Sequence, residues 1–62
     1  MYVKLCWKSK DTKKGTINVS KEMTIKEAKK VYKEQVEEIA TVAYLRYWDG
    51  WRTRIHKTLK TN

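Results

Sequence analysis

Between Tyr44 and Arg54 the chain reads YLRYWDGWRTR. Tyr44, Tyr47, Trp48 and Trp51 offer flat rings that stack. Arg46, Arg52 and Arg54 offer planar forks that grip phosphate or carboxylate and stack on rings themselves. His56 follows two residues later. Near the other end stand Lys4, Lys8, Lys10, Lys13 and Lys14. Residues of this kind neutralise phosphates and hold unpaired bases. They equally suit an acidic protein surface.

Catalysis is not expected. One cysteine, Cys6, and one histidine cannot assemble a Cys/His metal set, and no internal disulfide can form. Asp11 and Asp49 fall in turn-like segments, where Asp is locally favoured. No nucleophile, base and orienting group come together in the pattern, and no Gly-rich phosphate loop is present. No cofactor or metal site is expected. Cys6 reads as a small, half-exposed strand residue, with a reactive thiol as the alternative.

The elements that position these residues follow from length and periodicity. A chain of 62 residues makes one domain, spanning residues 1–62. It buries little of its surface, so large side chains must help, and three Trp and four Tyr predict an aromatic-rich core. Trp7 and Trp51 are assigned to it. The formal net charge is +8, with the excess in residues 1–21 and 41–62 and a near-neutral middle. Because those basic flanks also carry apolar alternation, the charge reads as a folded surface rather than a tail. No apolar run of about 20 residues is present to span a bilayer. A free thiol and no apparent leader lead to the expectation of a cytoplasmic protein.

Residues 2–8 alternate, with Val3, Leu5 and Trp7 on one side and Tyr2, Lys4, Cys6 and Lys8 on the other, which predicts a half-buried strand. SKDTKKG reads as a loop. TINVS returns as a second strand with Ile17 and Val19 on one face. Thr24 followed by Glu27 is a capping box and opens a helix. Ile25, Ala28, Tyr32, Val36, Ile39 and Gln35 form its stripe, and its charged residues lie largely off that stripe. A strand is expected over about Val42 to Trp48, against a helix that continues to Trp48.

Asp49-Gly50 between two patterned runs signals a hairpin. A two-residue loop pairs Trp48 with Trp51. A three-residue loop pairs Tyr47 with Trp51 and is favoured, because it turns Arg46, Arg52 and Arg54 outward with Tyr44, Trp48 and His56. Both registers place Trp51 and Ile55 inward.

The resulting fold class is α+β: a small ββαββ domain whose four-stranded, mostly antiparallel sheet packs on one helix. With YVKL at the start and AKKVYK in the helix, this order resembles the β-grasp arrangement of ubiquitin-like proteins and of the immunoglobulin-binding domains of streptococcal protein G. The resemblance implies that the first and last strands pair in the middle of the sheet. Lys4 and Lys8 would then lie beside Arg52, Arg54 and His56, framed by Tyr2, Tyr44, Arg46 and Trp48, with Lys10, Lys13 and Lys14 at one end.

Two functions are expected from such a face. The first is nucleic-acid binding by a small basic accessory protein, with single strands or RNA favoured because outward rings stack unpaired bases. The second is a phage- or plasmid-type inhibitor or antitoxin-like protein that covers a site on an acidic host protein. Monomer and homodimer are both compatible with the pattern.

Overall fold

The computed structural model describes residues 1–61. Strands β1 (Tyr2–Ser9) and β2 (Asn18–Thr24) form the first hairpin. Helix α1 (Ile25–Val31) runs on into a π-helical turn (Tyr32–Val36). Strands β3 (Ala40–Trp48) and β4 (Thr53–Lys60) form the second hairpin. The fold is therefore α+β, a four-stranded antiparallel sheet packed on one helix in ββαββ order.

Strand adjacency departs from the β-grasp expectation. The order across the sheet is β2-β1-β3-β4, so β1 pairs with β3 and the last strand lies at an edge. The link after the helix accounts for this. Only Glu37–Ile39 separate the helical segment from β3, and so short a link reaches only the nearest open strand. That strand is β1, and Ser9 pairs with Ala40 where the chain enters.

Thr24 ends β2 and caps the helix in the same step. Its backbone is extended, and its hydroxyl accepts from the Glu27 amide at 3.2 Å. Ala28, Tyr32 and Val36 then point into the core at four-residue spacing. In a regular α-helix, four residues overshoot one turn by about 40°. The wider π turn, closed by the Glu37 amide donating to the Tyr32 carbonyl at 2.7 Å, takes up that overshoot. The helical segment is finished before Ile39, so Ile39 is exposed rather than on the buried stripe, and Gln35 is exposed as well.

Val3, Leu5, Met23, Ala28, Tyr32, Val36, Ala40, Ala43 and Leu45 make one core, with Trp7, Ile25, Val31, Tyr47 and Leu59 packed against it. This core is mainly aliphatic. Of the three tryptophans only Trp7 contributes, while Trp51 is 77% exposed. Val19 is also exposed, because β2 carries a bulge. Lys4 pairs with Glu22 but Cys6 pairs with Val19, so β2 holds an extra residue and its faces swap at that point.

The bulge leaves the Leu5 amide without a ladder partner, and the Ser20 hydroxyl replaces it at 2.9 Å. Ser20 also donates to the Lys21 carbonyl at 2.8 Å. Removing the hydroxyl strands a donor on a fully buried residue. Ser20→Ala is expected to cost about 1 to 2 kcal/mol in denaturant unfolding, with an unchanged slope against denaturant. A loss within about 0.5 kcal/mol, the range of ordinary surface changes, would show that water fills the role.

Candidate functional site

The helix packs on β1 and β2, and the opposite face of the sheet is open. Its residues form rows across the strands. One row runs Glu22, Lys4, Arg46, Ile55, and the next Val19, Cys6, Tyr44, Thr58. Lys8 lies opposite Val42 beyond them. At the other end Tyr2 lies opposite Thr24, and Trp48 opposite Thr53. Trp48 is 65% exposed and Tyr2 63%, whereas Tyr44 and Arg46 are half-buried. Pleating alone places Tyr44, Arg46 and Trp48 together, because alternate residues of a strand share a face.

The first hairpin loop extends this face at the Ser9 end. Two consecutive turns build it. The Thr12 amide donates to the Ser9 carbonyl at 3.1 Å, and the Thr16 amide to the Lys13 carbonyl at 3.0 Å. Thr12 Oγ1 accepts from both the Ser9 amide and Asn18 Nδ2. Gly15 sits at φ +86°, the left-handed position that the second turn requires. Lys10, Lys13 and Lys14 are all exposed on this loop.

The second hairpin differs from both expected registers. Its loop is Asp49–Arg52, closed by the Asp49 amide donating to the Arg52 carbonyl at 3.1 Å. Asp49 Oδ1 accepts from the Trp51 and Arg52 amides, each at 2.8 Å, and Oδ2 pairs with Arg54 Nε. Gly50 supplies φ +98°. The carboxylate gathers four residues into the turn, so Tyr47 meets Arg54 rather than Trp51. A slip of an odd number of residues turns a strand over. Ile55 therefore lies on the open face, 61% exposed, and Arg54 lies on the helix side with Tyr47. His56 is the extra residue of a bulge and sits edge-on to the Tyr47 ring, centroids 6.4 Å apart. Trp51 stands at the loop tip with the Arg52 guanidinium 5.5 Å from its ring.

Of the residues singled out in the sequence, the fold thus gathers Lys4, Lys8, Tyr44, Arg46 and Trp48 on the open face. Lys10, Lys13 and Lys14 occupy the loop at one end of the sheet, and Arg52 the loop at the other. Arg54 and His56 point to the opposite side, so Lys4 and Lys8 do not lie beside them. Tyr2 lies on the open face as expected, and Ile55 joins it. Ile55, inward in both expected registers, is turned out by the four-residue loop. Among the described residues the ion pair within 4 Å is Arg54–Asp49, and none involves Lys4, Lys8 or Arg46.

Cys6 is fully buried between Lys4, Lys8, Val19 and Tyr44, not half-exposed. Burial pushes its thiol pKa up, outweighing the pull of Arg46, Tyr44 and Lys4. The thiol is thus protonated and shielded, which removes the basis for a reactive cysteine. Among the described residues no three His, Cys, Asp or Glu side chains converge on a metal position. No described helix is long and apolar enough to cross a membrane. Compared with known proteins, the chain matches no family model, no curated protein and no solved structure.

Asp49 provides a direct check on the loop. The Arg52 amide, the Arg54 side chain and the Trp51 amide together lower its pKa to about 2. The folded carboxyl ionises more readily than the unfolded one, so its contribution to stability is complete above about pH 4 and is lost as pH falls through about 2. The Trp51 and Arg52 amide resonances are expected to titrate together with a midpoint near 2. A midpoint near 4 would mean that the carboxylate does not hold the turn.

Proposed function

We propose that the protein is a small, non-enzymatic nucleic-acid-binding accessory protein that uses its open sheet face, with single strands or RNA preferred. The observation that carries this reading is the adjacency of Lys4 and Arg46 in one row, with Tyr44 and Trp48 on either side of Arg46 along β3. A cation placed between an exposed ring, Trp48, and a half-buried one, Tyr44, can neutralise a backbone while bases lie on the rings. A regular duplex keeps its bases stacked internally, so the rings gain nothing from it. The lysine loop continues the positive strip beyond Lys8. The helix packs over β1 and β2 on the other side, which leaves this face free to meet a strand along its length.

A second reading has its own observation. Trp48, Trp51 and Ile55 are large apolar groups exposed around the second hairpin, and such residues anchor protein partners. An inhibitor of an acidic protein would bind through them, with the lysine loop contributing little.

The test is a titration with a labelled single strand and with its duplex, at low and physiological salt, following tryptophan emission. Lys4→Ala, Lys8→Ala and Arg46→Ala are each expected to weaken single-strand binding and to lower the salt slope by about 0.7. Lys57→Ala is the control: it removes the same charge from the helix side of β4, opposite Leu45, and is expected to change little. An equal loss from Lys57→Ala would reduce the effect to bulk charge. Loss at Trp48 or Trp51 alone, with an unchanged salt slope throughout, would favour the protein partner.

A further inference from the structure

A cleft of about 200 Å³ opens at the Trp48 end of the sheet face, lined by Tyr2, Lys4, Glu22, Arg46, Trp48 and Thr53 among others. Sites for drug-sized ligands are typically larger, about 300 Å³ and above. This cleft suits one planar ring system with its sugar and phosphate outside. Its chemistry is mixed in a telling way. Tyr2 and Trp48 are exposed rings, Lys4 and Arg46 are cations, and Glu22 is a carboxylate. Glu22 is also the one acidic residue in any strand. On a face built only to attract phosphate, an acid in the Lys4 and Arg46 row works against binding. Among the described residues it makes no ion pair within 4 Å, so its two oxygens are available to a ligand.

We infer that this cleft receives a single unpaired guanine of the bound strand, and that Glu22 recognises it. The inference rests on the nucleic-acid reading above and specifies it. A carboxylate has two acceptor oxygens side by side and no donor. Guanine presents two adjacent donors on its pairing edge, the ring N1–H and the 2-amino group. Adenine and cytosine each place a ring acceptor beside their amino group, and uracil and thymine flank one N–H with two carbonyls. Only guanine offers both oxygens a donor without facing one with an acceptor. The Trp48 indole supplies the stacking surface, and Lys4 and Arg46 hold the phosphate next to the seated base.

The experiment compares an all-thymidine ten-mer with the same strand carrying one central guanine, and with inosine in place of that guanine, by tryptophan emission at fixed low salt. Guanine is expected to tighten binding roughly tenfold, and inosine, which lacks the 2-amino group, to lose most of that gain. Glu22→Ala is expected to bring the three strands within about twofold of one another, while all-thymidine binding is retained or strengthened because an anion has left the face. Glu22 is exposed, so circular dichroism of the variant is expected to match that of the native chain. Equal binding of the thymidine and guanine strands by the native protein overturns the guanine site and leaves phosphate binding standing. A guanine preference that survives Glu22→Ala also overturns it. Failure of every strand to bind at low salt overturns both readings.

Discussion

One short helix cannot roof four strands, and much of the architecture follows from that. A helix with its side chains is about 10 Å wide, and strands lie about 4.8 Å apart, so a single helix shields roughly two of them. Here seven residues of α-helix and five of π-helical turn are available. They pack on β1 and β2, and small or aliphatic side chains of β3, notably Ala40, Ala43 and Leu45, complete the core from the side. β4 lies beyond this cover, exposed from Thr53 to Thr58. Two features tie its far end down: Leu59 packs on the core, and the Lys60 amine donates to the Glu37 carbonyl at 2.8 Å. That cation also meets the negative end of the helical segment, where unsatisfied carbonyls gather.

The same geometry sorts the charge. Glu27, Glu34, Glu37 and Glu38 belong to the helical segment or the turn after it, on the covered side of the sheet. The strands keep most of the unopposed cations. On the open face Lys4, Lys8 and Arg46 meet Glu22 alone, while on the covered side Lys26, Lys29, Lys30 and Lys33 balance those four glutamates and Lys57 and Lys60 stand beside them. Arg54 lies on the covered side too and is spent on holding Asp49 and with it the turn.

Local chemistry was legible wherever one residue type dictates one outcome. Thr24 caps as its type demands, β1 alternates as written, and Tyr44, Arg46 and Trp48 share a face because strands are pleated. Four features were hidden. The bulge in β2 depends on the Ser20 hydroxyl finding the Leu5 amide fifteen residues away, a non-local fact. The π turn is a response to packing, since four-residue spacing is also read as ordinary α-helix. The faces of β4 turn on the reach of one carboxylate. Asp49-Gly50 announces a hairpin, but the loop length is set by Asp49 collecting two amides and a guanidinium at once. Since the helix does not cover β4, hydrophobic alternation had no force there. The strand order was illegible for a related reason: it was settled by the three-residue link after the helical segment, whose end the sequence left open.

The burial of Cys6 has a chemical consequence for the life of the molecule. Disulfide exchange and oxidation to sulfenic acid both require a thiolate that a reagent can reach. In the folded chain the sulfur is neither ionised nor accessible. Two copies cannot be cross-linked through it unless the side chains that cover it on the open face, Val19 and Tyr44 among them, are displaced. A free cysteine in a small basic chain looks like a commitment to reducing surroundings, yet here it acts as one more apolar plug between strands. The folded chain therefore presents no free thiolate to its surroundings, and modification of the thiol reports displacement of the side chains that cover it.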